Sequence, residues 1–451
     1  MAELVDVDVE SVNVHGDGVA RLGRSLIAVP FTIPGERVRV RVERLRAGAV
    51  SAALVDVLAP SAHRVNPRCR HFGLRAEGGR TCGGCSWQHI AYPRQLELKT
   101  DLVTRLVREK VSSAPAARPM LAATPLDAPW GYRNKVHFAV DRKGPGALVM
   151  GHYARFSRRL IDVAECPVHD ERGNALAFAL RDACEWADTH EVKSIAVRSG
   201  QTTSETMATI VVSSETDKRI RAASRRAMAG QPAPTSLHVN IHPRGDALIF
   251  GERTRHVAGP ERLREDLGGA SFLVSPTSFF QTNVRAAQML LQQVLASIPM
   301  GAAVLDLYAG AGLFALPLAA RGHEVVAVEE NRGAVADGVA SLRLSRIPEA
   351  RCRFLARPVE AALKSRDLSS QHFGAIVLDP PREGCQAPVL DRLLHGRAAK
   401  TIVYISCDPQ SLARDLARIT ASGYEIRSMQ PVDMFPHTPH VETVAVLDRR
   451  S

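Results

Sequence analysis

Residues 304–314 read VLDLYAGAGLF, a pattern that predicts a strand, a Gly-x-Gly turn and the start of a helix. Gly310 and Gly312 lack side chains, so the backbone of the turn can approach a bound ligand closely. Glu329 closes the next apolar run about 20 residues later, where an acidic side chain can accept hydrogen bonds from both hydroxyls of a ribose. The stretch therefore predicts a Rossmann-like α/β domain that binds adenosine with a free ribose.

Two ligands fit this description, a nicotinamide dinucleotide and S-adenosylmethionine. The acidic Asp306 lies just before the glycine turn. A carboxylate there favours a ligand with an ammonium group over one with a pyrophosphate, because unlike charges attract. The residues therefore favour S-adenosylmethionine as the cofactor but leave the dinucleotide open.

From about Gly301 onward, short apolar runs alternate with helical stretches. This alternation is typical of a parallel sheet flanked by helices. Four parallel strands and then one edge strand are predicted, at Ala303–Leu307, Glu324–Val328, Gly374–Leu378, Thr401–Ile405 and Val441–Leu447. Residues 271–451 are assigned to this domain.

The first 60 residues predict a small β-barrel. From Leu4 to Leu58 apolar and polar residues alternate, interrupted by turn signals, as in several short antiparallel strands. The run Arg37–Val42 places arginines on one face and valines on the other. Small barrels often bind oligonucleotides along such a cationic face, although a solvated edge strand would look the same.

Residues 61–270 predict a mixed α+β central domain. Leucines and valines at helical spacing indicate an amphipathic helix over Tyr92–Lys110, which is expected to pack on the C-terminal domain. The predicted strands of this domain are Trp130–Val140, Ala147–Leu160, Ser194–Val197, Thr209–Val212 and Leu237–Ile241.

Composition indicates a globular protein with an anionic partner. The chain has 451 residues and a formal net charge of +11, which suits RNA or DNA because neutralised phosphates release counterions. Compositional drift toward arginine would give the same charge. No apolar stretch approaches the roughly 18 residues of a membrane span, so we expect a cytoplasmic protein, and a monomer is the simpler assumption.

The eight cysteines are unevenly placed. Cys69, Cys82 and Cys85 lie close together, and Cys166 follows far downstream. Four thiolates of this kind could hold zinc or an iron–sulfur cluster, or the site could be free of metal.

Two segments near the carboxyl end offer a nucleophile and a base. The apolar run Val403–Ile405 delivers Cys407 to a polar turn closed by proline, and Glu442 lies further along. A thiol attacks only as the thiolate, and a strand end facing a helix start with cations nearby can lower the pKa of Cys407. His437 and His440 are rival candidates for the base.

This pair suits the methylation of uracil. Carbon 5 of uracil is too poor a nucleophile to take a methyl group unaided, so a thiolate must first add to carbon 6 and convert the ring to an enolate. A general base must then remove the proton on carbon 5 so that the cysteine can leave. Asp379 begins the sequence DPPR at another strand end, where rigid prolines would fix it toward the reaction centre.

The chain resembles the bacterial RNA uridine-5-methyltransferases, which make 5-methyluridine in transfer RNA and ribosomal RNA. The resemblance rests on residues 278–283 (SFFQTN), 306–314, 328–329, 378–382 (LDPPR), 406–409 (SCDP), 434–438 (MFPHT) and 440–442 (HVE). It implies contacts to S-adenosylmethionine from Gln281, Tyr308, Glu329 and Asp379, with Cys407 as nucleophile and Glu442 as base.

The resemblance also covers the amino-terminal half. The barrel is similar to the family's TRAM domain, an RNA-binding module. Members of the family commonly carry a four-iron, four-sulfur cluster on a cysteine set like Cys69, Cys82, Cys85 and Cys166. Three positions depart from the family pattern, because Leu313 and Asp408 stand where asparagine is frequent and Pro358 falls near another such position.

Two other functions are also compatible with the sequence. One is methylation of an amino group of adenine or guanine, in which the DPPR sequence would polarise the nitrogen and no cysteine is needed. The other is a non-catalytic RNA-binding protein with a residual cofactor pocket.

Overall fold

The computed structural model describes residues 3–44, 50–73, 81–144, 147–189, 191–214, 218–244, 249–396 and 399–450. Their strands form four sheets, of five, seven, two and eight strands. Within these ranges, every helix is too short or too polar to cross a lipid bilayer.

The five-stranded sheet contains β1 (Glu3–Val12), β2 (Gly18–Leu22), β3 (Ser25–Val29), β4 (Arg37–Arg44) and β5 (Val50–Ala59). It is antiparallel in the order β3-β2-β1-β4-β5, and β3 also touches β5, so the sheet curls. Val38 and Val40 are buried in its core. Arg39, on the other face, donates to both carboxylate oxygens of Asp6 at 2.7 and 3.0 Å. The predicted alternation of arginine and valine in β4 is therefore confirmed.

The seven-stranded sheet is formed by the middle part of the chain. It follows α1 (Tyr92–Lys110) and β6 (Leu121–Ala122), and its order is β13-β12-β11-β10-β7-β8-β9. The elements are β7 (Lys135–Gly144), β8 (Ala147–Tyr153), β9 (Leu160–Asp162), α2 (Glu171–Trp186), β10 (Val192–Ser199), β11 (Thr206–Val212), α3 (Lys218–Ala229), β12 (Ser236–Ile241) and β13 (Arg253–Ala258). Apolar residues of α2 and α3 pack on one face of this sheet. A turn divides the predicted strand Ala147–Leu160 into β8 and β9.

The C-terminal elements begin with the hairpin of β14 (Leu263–Leu267) and β15 (Ala270–Val274). They continue with α4 (Val284–Ser297), β16 (Val304–Leu307), α5 (Ala315–Ala320), β17 (Val325–Glu329), α6 (Arg332–Leu344), β18 (Cys352–Ala356), α7 (Val359–Ala362), α8 (Arg366–Ser369), β19 (Ala375–Leu378), α9 (Ala387–Gly396), β20 (Thr401–Ser406), α10 (Pro409–Ala421), β21 (Tyr424–Asp433) and β22 (Glu442–Arg449). The hairpin crosses the predicted boundary at residue 270, and the division into three domains stays a prediction.

The eight-stranded sheet has the order β18-β17-β16-β19-β20-β22-β21-β6. The four predicted parallel strands are present, and β18 joins them. The prediction that Val441–Leu447 forms an edge strand is wrong, because β22 lies inside the sheet between β20 and β21. Strand β21, which pairs with β22, has the sequence YEIRSMQPVD. Its polar residues interrupt the alternating apolar pattern by which a strand is predicted.

Helix α1 packs against α10 and β21 and holds the loop 434–441 that leads to β22. The fully buried Lys99 donates from Nζ to Asp433 Oδ1 at 2.6 Å and to the carbonyl of Phe435 at 3.1 Å. Gln95 accepts from the backbone N–H of His437 at 2.8 Å. The conformation of the loop is therefore fixed by side chains from a distant part of the sequence.

The five-stranded sheet touches the same loop through Gly16. Its carbonyl accepts from the Trp87 indole at 2.7 Å. Gly16 has φ +80°, and a Cβ there would lie 2.8 Å from Trp87 Nε1 and 2.9 Å from Pro439. Only glycine fits this approach. The first sheet, the tryptophan and the loop thus meet at one point.

We predict that Lys99→Met lowers the free energy of unfolding by about 3 to 5 kcal/mol, because it leaves the Asp433 carboxylate buried without its cation. Urea unfolding monitored by circular dichroism measures the change. Arg418→Met, which removes a half-exposed ion pair with Asp391, is the control and should cost under about 1 kcal/mol. Equal effects of the two substitutions would contradict the prediction.

Candidate active site

A cavity of about 580 Å³ opens at the carboxyl edge of the parallel strands. Five strands of the eight-stranded sheet bring side chains to it. Tyr308 follows β16, Glu329 ends β17, Asp379 follows β19, Cys407 follows β20, and Glu442 begins the antiparallel β22. Gln281, from the loop before α4, completes the wall. The structure therefore brings all six residues that the resemblance singles out in the C-terminal half into one cavity.

The glycine turn follows β16 as predicted. Tyr308, Gly310 and Gly312 all have positive φ, of 63°, 56° and 88°. A Cβ on Gly312 would lie 2.8 Å from the ring of Phe354, so the glycine is required by packing as well as by its backbone conformation. Gly310 and Ala311, which have no side chain or only a methyl group, both line the cavity.

Glu329 is anchored by the backbone around it. One carboxylate oxygen accepts from the N–H of Gly310 at 2.9 Å, and the other from the N–H of Asn331 at 2.8 Å. Each oxygen keeps a second lone pair for a ligand. The side chain is thus held where it can accept from the two hydroxyls of a ribose.

Buried carboxyl groups dominate the electrostatics of the cavity. Burial raises the pKa of Asp379 to about 7. Burial, and then the charge of Asp379, raise the pKa of Glu442 well above its usual value. Asp306 is fully buried beneath the cavity and does not line it, and its pKa is also raised by burial and by Asp379. Such a group of carboxyls favours a cationic ligand and opposes an anionic pyrophosphate.

Cys407 and Glu442 lie beside each other because their strands pair. Ser406 of β20 pairs with Thr443 of β22 in the antiparallel register, so the next residue of one strand lies at the same sheet edge as the preceding residue of the other. Cys407 also lies two residues before the start of α10. Asp408 caps this helix by accepting from the N–H groups of Gln410 and Ser411 at 3.0 and 2.9 Å.

The expected lowering of the Cys407 pKa is not observed. Burial, followed by the charges of Glu442 and Asp379, raises the pKa of the thiol to about 12, and Arg382 opposes this only in part. The sequence shows the cations and the helix terminus near Cys407, but the two carboxyls approach it from other strands only in the folded protein. In the protein without ligands, Cys407 is therefore a thiol at neutral pH.

The two rival histidines have other surroundings. His437 is buried, stacks on Trp130 with ring centroids 4.0 Å apart, and contacts the Pro129 carbonyl through Nε2 at 3.2 Å. His440 Nδ1 lies 3.3 Å from an Arg382 nitrogen. Burial lowers the pKa of His437 to about 3 and that of His440 to about 4. Neither ring lines the cavity, whereas Glu442 does.

The departures from the family pattern have local explanations. Asp408 is the N-cap of α10, a position that accepts aspartate as readily as asparagine. Pro358 precedes the first turn of α7. Leu313 lines the cavity with an apolar side chain.

Sequence analysis assigned no role to Phe279. Its side chain is 72% exposed although it lines the cavity, so an aromatic ring stands at the mouth. Arg198 of β10, fully buried, donates to the carbonyls of Ser278 at 3.2 Å and Phe280 at 3.4 Å and fixes the loop on both sides of this ring. In the sequence, the sign of such a role is the aromatic residue Phe279 within SFFQTN.

The four predicted metal ligands lie around a second, smaller cavity. Cys69, Cys82, Cys85 and Cys166 all line a space of about 80 Å³. Burial and repulsion from the neighbouring cysteines raise the pKa of Cys85 to about 12, against a hydrogen bond from Gln88 that lowers it. Thiols placed together in this way are expected to lose their protons only to a metal.

His152 and His169 also line this smaller cavity, and sequence analysis missed them. Their ring nitrogens and the sulfur of Cys166 all lie within 4.8 Å of one another. Burial lowers the pKa of His152 to about 4, so its ring is neutral at pH 7 and could act as a ligand or a hydrogen-bond donor. In the sequence, the sign that His169 belongs to this site is its position three residues after Cys166.

Comparison with known proteins gives consistent matches. The family described as tRNA (uracil-5-)-methyltransferase matches residues 131–450, and the TRAM domain matches residues 3–55. An RNA methyltransferase of Thermosynechococcus vestitus is 35% identical over 98% of this chain and 97% of its own length. One of Halalkalibacterium halodurans is 30% identical over 100% and 98%.

Among solved structures, the tRNA (uracil-54, C5)-methyltransferase of Pyrococcus abyssi in complex with S-adenosyl-L-homocysteine is 26% identical, with a TM-score of 0.74. The match covers 98% of this chain and 99% of that one. These matches confirm the predicted α/β class with a TRAM-like amino-terminal sheet.

We predict that Asp379→Asn removes part of the pH dependence of stability. Because the pKa of Asp379 rises from 3.8 to about 7 on folding, the native state keeps a proton that the unfolded state has lost, and stability falls as pH rises from about 4 to 7. The loss is at most about 4 kcal/mol. Urea unfolding of the ligand-free protein at pH 5 and pH 8 should show a smaller difference for the variant. The exposed Asp8→Asn serves as control, and identical profiles for Asp379→Asn and the parent protein would contradict the assignment.

Proposed function

Because this chain belongs to the tRNA (uracil-5-)-methyltransferase family, we propose that it transfers a methyl group from S-adenosylmethionine to carbon 5 of a uridine in transfer or ribosomal RNA, through a covalent adduct at Cys407. The observation that carries this proposal is the cavity itself. A thiol and a carboxyl group from paired strands face the same space as the glycine turn and Glu329.

In the proposed reaction, Cys407 is the nucleophile and Glu442 is the base. The Cys407 sulfur adds to carbon 6 of the uracil, which leaves carbon 5 electron-rich as part of an enolate. Carbon 5 would take the methyl group from the sulfonium of the donor, whose sulfur keeps the electron pair of the broken S–C bond and leaves as a neutral thioether. Glu442 would then accept the proton that carbon 5 still carries. The electron pair of that C–H bond re-forms the ring double bond and expels the Cys407 thiolate.

The raised pKa values are consistent with these roles. A carboxylate whose pKa is raised is a stronger proton acceptor, which suits Glu442 as the base. Glu442 and Asp379 also oppose ionisation of Cys407. Cys407 would therefore lose its proton more readily once a bound cation offsets these two charges.

The cavity fits the proposed cofactor. Gln281, Tyr308, Glu329 and Asp379 would hold S-adenosylmethionine, which when bound supplies an electrophilic methyl group on a sulfonium. Glu329 suits the ribose, and the buried carboxyls suit the positive charges of the ligand. The volume is also in the usual range for such ligands, roughly 300 to 1,000 Å³.

The uridine would have to leave its base stack to reach Cys407, because a thiolate cannot attack carbon 6 from within a helix. The exposed ring of Phe279 at the mouth of the cavity offers a surface for an unstacked base. Loops of folded RNA lower the cost of this extrusion. The TRAM-like sheet, with the cationic face of β4, would add contacts to phosphates.

We predict that Cys407→Ala lowers methylation by more than about 1,000-fold and abolishes the covalent complex with RNA that contains 5-fluorouridine. In contrast, Glu442→Gln should slow product formation by about 100- to 10,000-fold while the adduct with ordinary RNA accumulates, because the step that releases the cysteine is lost. Denaturing gels and mass spectrometry of the crosslinked peptide measure both results.

Cys352→Ala is the matched control, since Cys352 is buried in β18 outside the cavity. It should retain both activity and adduct. Methylation retained in Cys407→Ala would instead support transfer to an amino group of adenine or guanine, which needs no thiol.

We also propose that the second cavity holds a four-iron, four-sulfur cluster on Cys69, Cys82, Cys85 and Cys166. Ligands of a tetrahedral zinc ion at about 2.3 Å lie roughly 3.8 Å apart. Within the described residues, the group of three ligand atoms that falls within 4.8 Å includes only one of the four thiols. The four thiols of the described residues thus do not form one such close group, which supports a cluster over a single zinc ion. Since the proposed methylation transfers no electrons, the cluster would have a structural role.

We predict that protein purified without oxygen contains about four iron and four sulfide per chain, and that Cys166→Ser loses most of both. Metal and sulfide analysis measures this directly. Cys184→Ser, at a cysteine buried in α2 away from the cavity, should retain them. Stoichiometric zinc, or no metal under these conditions, would contradict the proposal.

A further inference from the structure

The turn between β8 and β9 presents an unusual exposed aromatic residue. Residues 154–159 read ARFSRR, with three arginines and no acidic residue. Phe156 at its tip is 90% exposed. Arg158 and Arg159 are exposed beside it, and Tyr153 at the end of β8 is 55% exposed. Alternating cations and aromatic rings on a surface are typical of sites that bind unpaired nucleotides.

Phe156 is the outer member of an ordered stack. The guanidinium of Arg155 lies 4.9 Å from the centroid of the Phe156 ring and 5.7 Å from that of Phe31. Phe31 in turn meets Phe72 edge to face at 5.3 Å. Arg155 also donates to Asp17 at 2.7 Å, which fixes the cation between the two rings. The series therefore runs from two partly buried rings to a last ring that is almost wholly exposed.

The backbone conformation at Phe156 does not favour a phenylalanine there. Phe156 has φ +53°, in the left-handed region, which is costly for a bulky residue and easy for glycine. Its side chain is almost wholly in water, so it gains little from burial. A strained, exposed aromatic residue lowers stability and calls for a functional explanation.

Neighbouring segments hold the turn near the active site. The N–H of Gly83 donates to the carbonyl of Tyr153 at 3.0 Å, so the cysteine segment packs against the end of β8. Three residues later, the N–H of Ser86 donates to the carbonyl of His437 at 2.9 Å. Three residues span at most about 10 Å. The turn thus lies one short segment from the loop that leads to Glu442.

We propose that Phe156 is a stacking platform for an unpaired base of the RNA substrate, with Arg158 and Arg159 contacting the phosphates beside that base. This inference rests on the proposed function for the nature of the partner. The stacked base extends the series Phe72, Phe31, Arg155 and Phe156 by one member. The contact lies outside the catalytic cavity and fixes how the RNA is oriented over it.

The test measures RNA binding in a Cys407→Ala background, so that no covalent complex contributes. The probes are an unmodified transfer RNA transcript and an unmodified fragment of 23S ribosomal RNA, titrated by fluorescence anisotropy. Phe156→Gly and Phe156→Ala should each weaken binding of at least one probe by about 5- to 100-fold. Phe156→Trp should bind as well as the parent protein, because it keeps an aromatic face.

Phe156→Gly also distinguishes a loss of RNA binding from a loss of protein stability. Since glycine relieves the backbone strain, its midpoint of thermal unfolding should equal or exceed that of the parent. Met300→Ala is the matched control, as Met300 is 89% exposed in the turn before β16. It should leave RNA affinity unchanged.

Ultraviolet crosslinking supplies an independent result. Crosslinked nucleotides on the peptide containing residues 153–159 would support the platform, even if methylation turned out not to depend on Cys407. Unchanged affinity of Phe156→Gly for both RNAs would overturn it, even if the fluorouridine adduct forms at Cys407. The two proposals can therefore fail separately.

Discussion

The pairing of β22 with β20 is the constraint on which the site depends. In a purely parallel sheet, only residues that follow strands reach the ligand edge. Because β22 runs antiparallel, its first residue reaches that edge as well, and the register of Ser406 with Thr443 sets Glu442 beside Cys407. A shift of one residue would turn Glu442 to the other face of the sheet. The outer strand β21 and the short β6 secure this register from the far side.

The cavity also contains an excess of carboxyl groups, and burial raises their pKa values. Burial raises the pKa of Asp379 and Glu442, which line the cavity, and of Asp306, which lies outside its lining. Burial, followed by the charges of Glu442 and Asp379, also raises the pKa of the Cys407 thiol. Because the charge of one group affects the pKa of its neighbours, a cation that enters the cavity favours ionisation of these carboxyls and of the thiol. The thiol of Cys407 is therefore protonated at neutral pH, and its ionisation depends on the charge that the cavity contains.

The sequence predicted those features that depend on local pattern. Helix α1 occupies Tyr92–Lys110 as expected, and the parallel strands and glycine turn follow from short apolar runs and absent side chains. Features that depend on contacts between distant segments were missed. The position of β22 depends on β21, whose polar residues hide a strand. The pKa of Cys407 depends on carboxyls that lie near it only after folding, and His152 and His169 join the cysteines for the same reason.

The meeting of Gly16, Trp87 and Pro439 has a further consequence for the architecture. A small amino-terminal domain is commonly regarded as a detachable accessory, but here the first sheet supplies a carbonyl to the tryptophan and lies against the loop that leads to Glu442. A shortened protein lacking residues 3–59 would leave the indole N–H without its acceptor beside this loop. The amino-terminal sheet is thus built into the enzyme, and exchanging it between relatives would require the loop and the tryptophan to be exchanged with it.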